Sequence, residues 1–313
     1  MLSKRQKKPT LADRWPALQS WLVPTFIVVV GVTTIVAIHA AWIRFTNMPG
    51  NDFLITVVAM NFLIYCWIRV FSRWSMNGQI IAVIGFVALQ AGVHQLVRLD
   101  GFAGDGRPIW TWSWQPTPQQ TLEQHRERLS QTPDAKQIDL EQTSPHDSPG
   151  FRGAARDGVA RCEPFALNWQ ENPPRQLWRQ PVGLGWSSFA VVGDYCVTME
   201  QRGEREATVC YEFRTGREVW AHYEQARFYE ATSGEGPRAT PTIHAGRVYS
   251  LGATGILNCL DGGTGKPIWT VNILTDSASV NRLFGVTGSP LITGSLVIVN
   301  AGGRNSSLTA YDL

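Results

Sequence analysis

Charge of either sign is sparse and nearly balanced. The chain has 28 Lys and Arg against 25 Asp and Glu, a formal net charge of +3 over 313 residues. Most of that excess sits in Lys4, Arg5, Lys7, Lys8 and Arg14, so the balance gives no footing for nucleic acid as a partner. Cysteine is scarce as well. Five are present, none adjacent to another and none at the spacings of a zinc site or a c-type haem attachment. No glycine-rich loop feeds a helix: Gly255, Gly262 and Gly263 stand where no helical pattern follows, which excludes a phosphate loop. The first apolar run lacks a small-x-small site after it, so a cleaved signal peptide is not indicated.

Long uncharged runs are present, all in the first third. Trp21–Ile43 carries no charge, Phe53–Phe71 is charged only at Arg69, and Ile80–Val97 is uncharged. Runs of this length match the roughly 30 Å of a bilayer core. The sequence therefore predicts a basic cytoplasmic tail at 1–20 and three transmembrane helices at 21–43, 53–71 and 80–97. Arg69 and Arg73 near the second loop, together with the basic tail, place the N-terminus inside and everything after Val97 outside. The expected location is a multi-pass inner-membrane protein whose later part is periplasmic, with the membrane as a partner. Asn61 and Gln90 sit near the middles of their runs and His94 and Gln95 near an end. They read either as helix packing or as a quinone or proton site. Trp110, Trp112 and Trp114 alternate just beyond, either at headgroup level or along one face of a strand.

Residues 98–149 read as a linker. From Gln115 to Gly150 the chain is rich in Gln, Pro, Ser, Thr and charge, with a short helix at 121–130 and otherwise a mobile tether.

The later half is built on repetition. Cys210-Tyr211-Glu212-Phe213-Arg214-Thr215-Gly216-Arg217-Glu218-Val219-Trp220 recurs 49 residues on as Cys259-Leu260-Asp261-Gly262-Gly263-Thr264-Gly265-Lys266-Pro267-Ile268-Trp269, and Ala310-Tyr311-Asp312 begins a third copy. Each copy reads strand, Thr-Gly turn, strand, with Trp in the second strand. A second pattern runs in phase with it: apolar residues, a turn at Gly193, Gly246 or Gly294, then a β-rich stretch. Two hairpins per period make one four-stranded antiparallel blade. Within the first blade, a hairpin centred on Gly203 is expected to set Cys196 opposite Cys210, near enough to raise the question of a disulfide.

The eleven-residue pattern resembles the tryptophan-docking motif of the pyrroloquinoline quinone (PQQ) repeat family, in which Ala, any residue, Asp or Asn, two of any, Thr-Gly, three of any and Trp follow in order. Residues 259–269 depart from it only at Cys259, and 210–220 at Cys210 and Glu212. Phe151-Arg152-Gly153 with Arg156-Asp157-Gly158 also looks like the opening segment of bacterial PQQ-like propellers. The resemblance covers 150–313. It implies a partial β-propeller, with Thr215, Gly216, Trp220, Thr264, Gly265 and Trp269 as structural repeat residues. Since such rings have about seven or eight blades, and two and a half are legible, the sequence is expected to be a fragment.

The resemblance implies two functions. One is a binding or scaffold module, as similar repeats form in an outer-membrane assembly lipoprotein, with envelope proteins as partners. The other is a membrane-bound PQQ-dependent dehydrogenase of alcohols or sugars, holding PQQ with calcium and passing electrons to quinone. No catalytic constellation and no metal-ligand set is visible in the sequence, which favours the first. Gln201, Arg238 and Arg282 lie in loops expected to face a central funnel, where the arginines would meet an anionic ligand such as the PQQ carboxylates.

Overall fold

The computed structural model describes residues 77–78, 81, 84–85, 88, 92, 95–102, 108–129, 138–160, 167–230, 234–304 and 306–313. They fall in two compact units, Met1–Trp114 and Gln115–Leu313.

In the first unit, strands β1 (Val97–Phe102) and β2 (Pro108–Trp112) form an antiparallel hairpin. Arg98 pairs with Asp100 at 2.5 Å, and Thr111 donates to the same carboxylate at 2.7 Å, which ties the two strands together. Trp110 and Trp112 lie on β2, and the Trp112 ring stacks on Trp114 at 4.8 Å.

The expected bundle of three transmembrane helices is corrected here. Among the described residues no helix is long and apolar enough to cross a membrane, and strands dominate. The multi-pass inner-membrane placement falls with it. The expected spans 21–43 and 53–71 lie outside the described residues. The third, 80–97, runs into a strand at Val97. There Val97-Arg98-Leu99-Asp100 alternates with period two and finds a hairpin partner. Run length and hydropathy measure suitability for hydrocarbon but carry no information about such pairing.

The second unit starts with helix α1 (Pro118–Leu129), close to the expected 121–130. Thr117 caps it. The Thr117 hydroxyl accepts from Gln120 N at 3.1 Å and the Gln120 side chain accepts from Thr117 N at 2.9 Å, with Pro118 at the first helical position.

Three sheets follow. Blade 1 is β3 (Ala190–Val192), β4 (Tyr195–Arg202), β5 (Arg205–Glu212) and β6 (Glu218–Glu224), paired in that order. A two-stranded ribbon, β7 (Tyr229–Glu230) and β8 (Gly234–Glu235), bridges to blade 2. Blade 2 is β9 (Thr242–His244), β10 (Arg247–Leu251), β11 (Ile256–Asp261) and β12 (Pro267–Asn272). After a one-turn helix α2 (Ile273–Asp276), blade 3 is β13 (Leu291–Thr293), β14 (Leu296–Asn300) and β15 (Leu308–Asp312). The innermost strand β9 lies beside both β3 and β13, as successive blades around an axis require.

Each Thr-Gly turn is built alike. Gly216 and Gly265 take φ of +73° and +69°, where a Cβ would strain the backbone. The Thr215 hydroxyl donates to Glu212 and the Thr264 hydroxyl to Asp261, both at 2.6 Å. The acid at the third repeat position and the Thr are thus partners, which is why Glu212 substitutes for Asp without loss of the turn.

The tryptophans weld blade to blade. Trp220 donates its indole N–H to Gly262 O at 2.9 Å, and its ring lies over Gly265, where a Cβ would come within 2.5 Å. Between blades 1 and 2 the core joins Ala190, Val192, Val197, Cys210 and Trp220 to Ile243, Val248 and Leu260. Between blades 2 and 3 it joins Tyr249, Leu251, Leu257 and Cys259 to Val297 and Val299, with Trp269 and Tyr311 packed at its margin.

Cys196 and Cys210 do not face each other. The register of β4 and β5 sets Cys196 opposite Tyr211 and Cys210 opposite Val197, one step away, so the two thiols point to opposite sheet faces. Cys196, Cys210 and Cys259 are free and buried. Burial pushes the Cys196 thiol up to about 11, so it acts as a small apolar residue.

The last part of the expected linker is packed. Ile138 and Leu140 are buried in the core between blades 1 and 2. Ser148 pairs with Val191 on β3, Pro149 O accepts from Ile243 N on β9, and Arg156 donates to Pro290 O at 2.9 Å, just ahead of β13. Residues 148–156 therefore touch the innermost strand, or the approach to it, of all three blades in turn.

Candidate functional site

At one end of the blades lie the Gly193, Gly246 and Thr-Gly turns. At the other lie the β4–β5 turn, the connections between blades and the β10–β11 turn. The sequence-predicted funnel residues are at this second end.

Gln201 ends near the close of β4, and its backbone pairs with Leu184. Its side-chain amide donates to Gly203 O at 2.8 Å and Ala226 O at 3.0 Å, and its carbonyl accepts from Phe228 N at 3.4 Å. It pins the segment after β6 to the β4–β5 turn. Arg238 lies over the Phe228 ring, 4.6 Å from its centroid, and donates to Gly234 O at 3.1 Å and to Gly236 O. Burial lowers its pKa, and the opposing fields of Glu230 and Glu206 offset only part of that. Phe228 thus brings Gln201 and Arg238 into one cluster. Arg282 is not drawn into it: it lies in the matching connection ahead of β13 and donates to Gly302 O at 3.3 Å.

Two acids that sequence reasoning missed complete the cluster. Glu230 is fully buried on β7. Glu206 on β5 is 3% exposed and accepts from Ala253 N at 3.0 Å. Burial pushes its pKa up to about 7; the Ala253 N–H and Arg238 oppose the rise, and Glu224, its cross-strand partner, adds to it. A Cβ on Gly252 would fall within 2.1 Å of the Glu206 carboxylate, which explains a glycine there. Met199, Glu206, His222, Glu224 and Asn258 line a narrow cleft between blades 1 and 2, and His222 meets Glu224 at 2.9 Å.

A second polar group lies on the side of blade 1 away from blade 2. Glu200 and Arg202, both nearly fully buried, pair at 2.9 Å. Arg202 also reaches Glu218 at 3.0 Å and the hydroxyls of Tyr211 and Tyr223, and Glu200 accepts from Gly183 N. Burial opposes the Arg202 charge, but Glu200, Glu218 and Tyr211 outweigh it and raise the pKa. Burial, followed by the Glu200 carboxylate, raises that of Tyr211.

PQQ with calcium would need a cation aimed at its carboxylates and an oxygen cage for the metal. Arg238 is instead aimed at backbone carbonyls, and among the described residues no three His, Cys, Asp or Glu side chains converge as a metal site. The described residues do not fit this cofactor.

Sheets paired in sequence order, Thr-Gly turns and tryptophans docked blade to blade define a PQQ-like β-propeller. Residues 205–313 match a family profile described as outer membrane protein assembly factor BamB, and over them the chain carries PQQ-like repeats. No curated protein matches the chain. Among solved structures, quinohemoprotein alcohol dehydrogenase from Comamonas testosteroni is 20% identical with a TM-score of 0.41, over 62% of this chain and 29% of that one. The quinohemoprotein alcohol dehydrogenase ADHIIG of Pseudomonas putida HK5 is 19% identical with a TM-score of 0.37, over 58% and 27%. BamB from Moraxella catarrhalis is 20% identical with a TM-score of 0.21, over 41% and 45%. The chain thus spans less than half the length of each of these structures. TM-scores this low carry no functional argument.

Sequence reasoning also missed Trp178. Its indole donates to Phe213 O at 2.9 Å, and its ring lies over Gly216, where a Cβ would come within 2.7 Å. The signal was present: Leu177-Trp178 repeats the apolar-Trp step of Val219-Trp220 and Ile268-Trp269.

Proposed function

We propose that the PQQ-like blades of this chain form a binding or scaffold module for protein partners. The observation that carries this reading is the use of the funnel side chains. Gln201 and Arg238 spend their donors on Gly203, Ala226, Gly234 and Gly236, so they shape the loop face instead of waiting for an anionic cofactor. The description of the matching family, an outer membrane assembly factor, supports envelope proteins as the partner class. The test is calorimetric titration of PQQ with calcium into the protein. No saturable heat is expected. One-to-one binding at micromolar affinity or tighter would overturn the scaffold reading in favour of a quinoprotein dehydrogenase.

A further inference from the structure

The contact between blades 1 and 2 is held differently at its two ends. Toward the Thr-Gly turns it is apolar and close-packed. Val197, Cys210 and Trp220 lie against Val248 and Leu260, and the Trp220 N–H is held by Gly262 O. Toward the loop end it is polar. Thr208 donates to Ser250 at 2.8 Å, and beyond it Glu206 accepts from Ala253 N at 3.0 Å. Thr208, Ser250 and Glu206 are all buried. Two side-chain bonds close this end, and the outer one rests on a carboxyl group.

The surroundings of that carboxyl do little to neutralise it. Strand β6 sets Glu224 directly opposite, and Glu224 meets His222 at 2.9 Å. The connection after β8 brings Arg238, but its donors go to Gly234 O and Gly236 O, and Glu230 on β7 competes for its field. Strand β4 offers Gln201 and β11 offers Asn258, neither of them titratable. The β10–β11 turn offers only backbone, with Gly252 pressed against the carboxylate. Glu206 is 3% exposed, so little water reaches it to screen a second charge beside Glu224.

We propose that the loop end of this contact is a proton-operated gate. While Glu206 carries its proton, β5 and the β10–β11 turn stay closed on each other; loss of the proton parts Glu206 from Ala253 and admits water between the blades, with the Trp220 end still docked. The neutral acid keeps a carbonyl oxygen for Ala253 N and adds no charge. The carboxylate, set against Glu224 in a site shut to water, regains its hydration only by opening. Burial holds the closed group at about 7, so the gate is shut below neutral pH and loosens above it. Opening uncovers Met199, Ile256 and Asn258, which line the cleft.

Hydrogen exchange by mass spectrometry on the full chain, between about pH 6 and pH 8, reads the gate once the intrinsic pH dependence of exchange is divided out. An opened Glu206 titrates near its ordinary 4.5 and a closed one at about 7, so protection of residues 250–256 is expected to fall about tenfold across that interval. Residues 259–265, at the Trp220 end, should stay better protected at every pH, because they exchange only when the blades part altogether. Glu206→Gln keeps an acceptor for Ala253 N without a charge and should abolish the pH dependence. Glu224→Gln should move the fall to higher pH. Met199 is the only methionine after Met76 and gives a second reading: its oxidation by dilute peroxide should quicken over the same interval, and not in Glu206→Gln. Three results would each overturn the proposal: equal protection of 250–256 and 259–265, which means global unfolding alone; protection independent of pH; or a pH dependence that survives in Glu206→Gln.

Discussion

Trp220 and Gly265 belong to different blades and share one contact: the indole ring lies where the glycine's Cβ would be, and its N–H is held by Gly262 O at 2.9 Å. Both partners are therefore fixed. Gly265→Ala places a carbon 2.5 Å from the ring at φ +69° and is expected to destabilise by about 2–4 kcal/mol. Trp220→Ala opens a cavity and should cost about 3–5 kcal/mol. Trp220→Phe keeps most of the packing, leaves the Gly262 carbonyl unpaired and should cost about 1–3 kcal/mol. Urea unfolding midpoints order the three variants.

Arg202 and Arg126 share Glu218 but not its environment. Arg202 is 5% exposed and paired with buried Glu200, so Arg202→Met strands a buried carboxylate and should cost about 3–5 kcal/mol. Arg126→Ala loses a partly exposed pair and should cost less than about 1 kcal/mol. A double-mutant cycle read by chemical denaturation separates the two contributions.

Glu206 makes stability depend on pH. Its folded pKa, near 7, lies above its ordinary value of 4.5, so the folded state holds a proton that the unfolded state has released between those values. Stability is then fully present below about 4.5 and declines as pH rises through 7. Glu206→Gln removes this slope and should gain on the order of 1–3 kcal/mol relative to the unaltered chain at pH 8. Melting temperatures from pH 5 to 8 in both proteins check it; parallel curves would refute it.

Gln201 holds three backbone groups across the loop face. Gln201→Ala leaves Ala226 O, Gly203 O and Phe228 N to find other partners, and is expected to cost about 1–3 kcal/mol. The backbone amides of 226–228 should exchange faster, which hydrogen exchange by mass spectrometry reads directly.

The blades were legible because their determinants are local. A Thr-Gly turn, an acid three residues before the Thr and a Trp four after the Gly lie within eleven residues, and each hairpin closes on itself. Arg238 was legible only as a charge in a loop. That its donors go to Gly234 and Gly236 while Phe228 supports its face depends on how the chain after β6 folds back. Trp178 was overlooked because its Thr-Gly turn is not beside it in sequence: the turn it covers, at Gly216, lies downstream in the blade it docks against. The cysteine pair failed on a single step of register, since a two-residue turn at Gly203-Glu204 sets Arg202 opposite Arg205 and moves Cys196 off Cys210. The apolar runs of the first third were read by hydropathy alone, and the hairpin at Val97–Trp112 shows what that reading leaves out.

Arrays of repeats commonly melt as a chain of neighbours, each unit answering only to the next. Residues 148–156 change that here. They hold Val191, Ile243 and Pro290 in succession, and the last contact spans 134 residues of sequence. One strip of backbone thus couples all three sheets beyond nearest neighbours, so a sheet cannot fray without loosening the strip from the others. The consequence is thermodynamic: unfolding of these sheets becomes a single cooperative event, and the strip, whose contacts close the longest loops, settles late in folding.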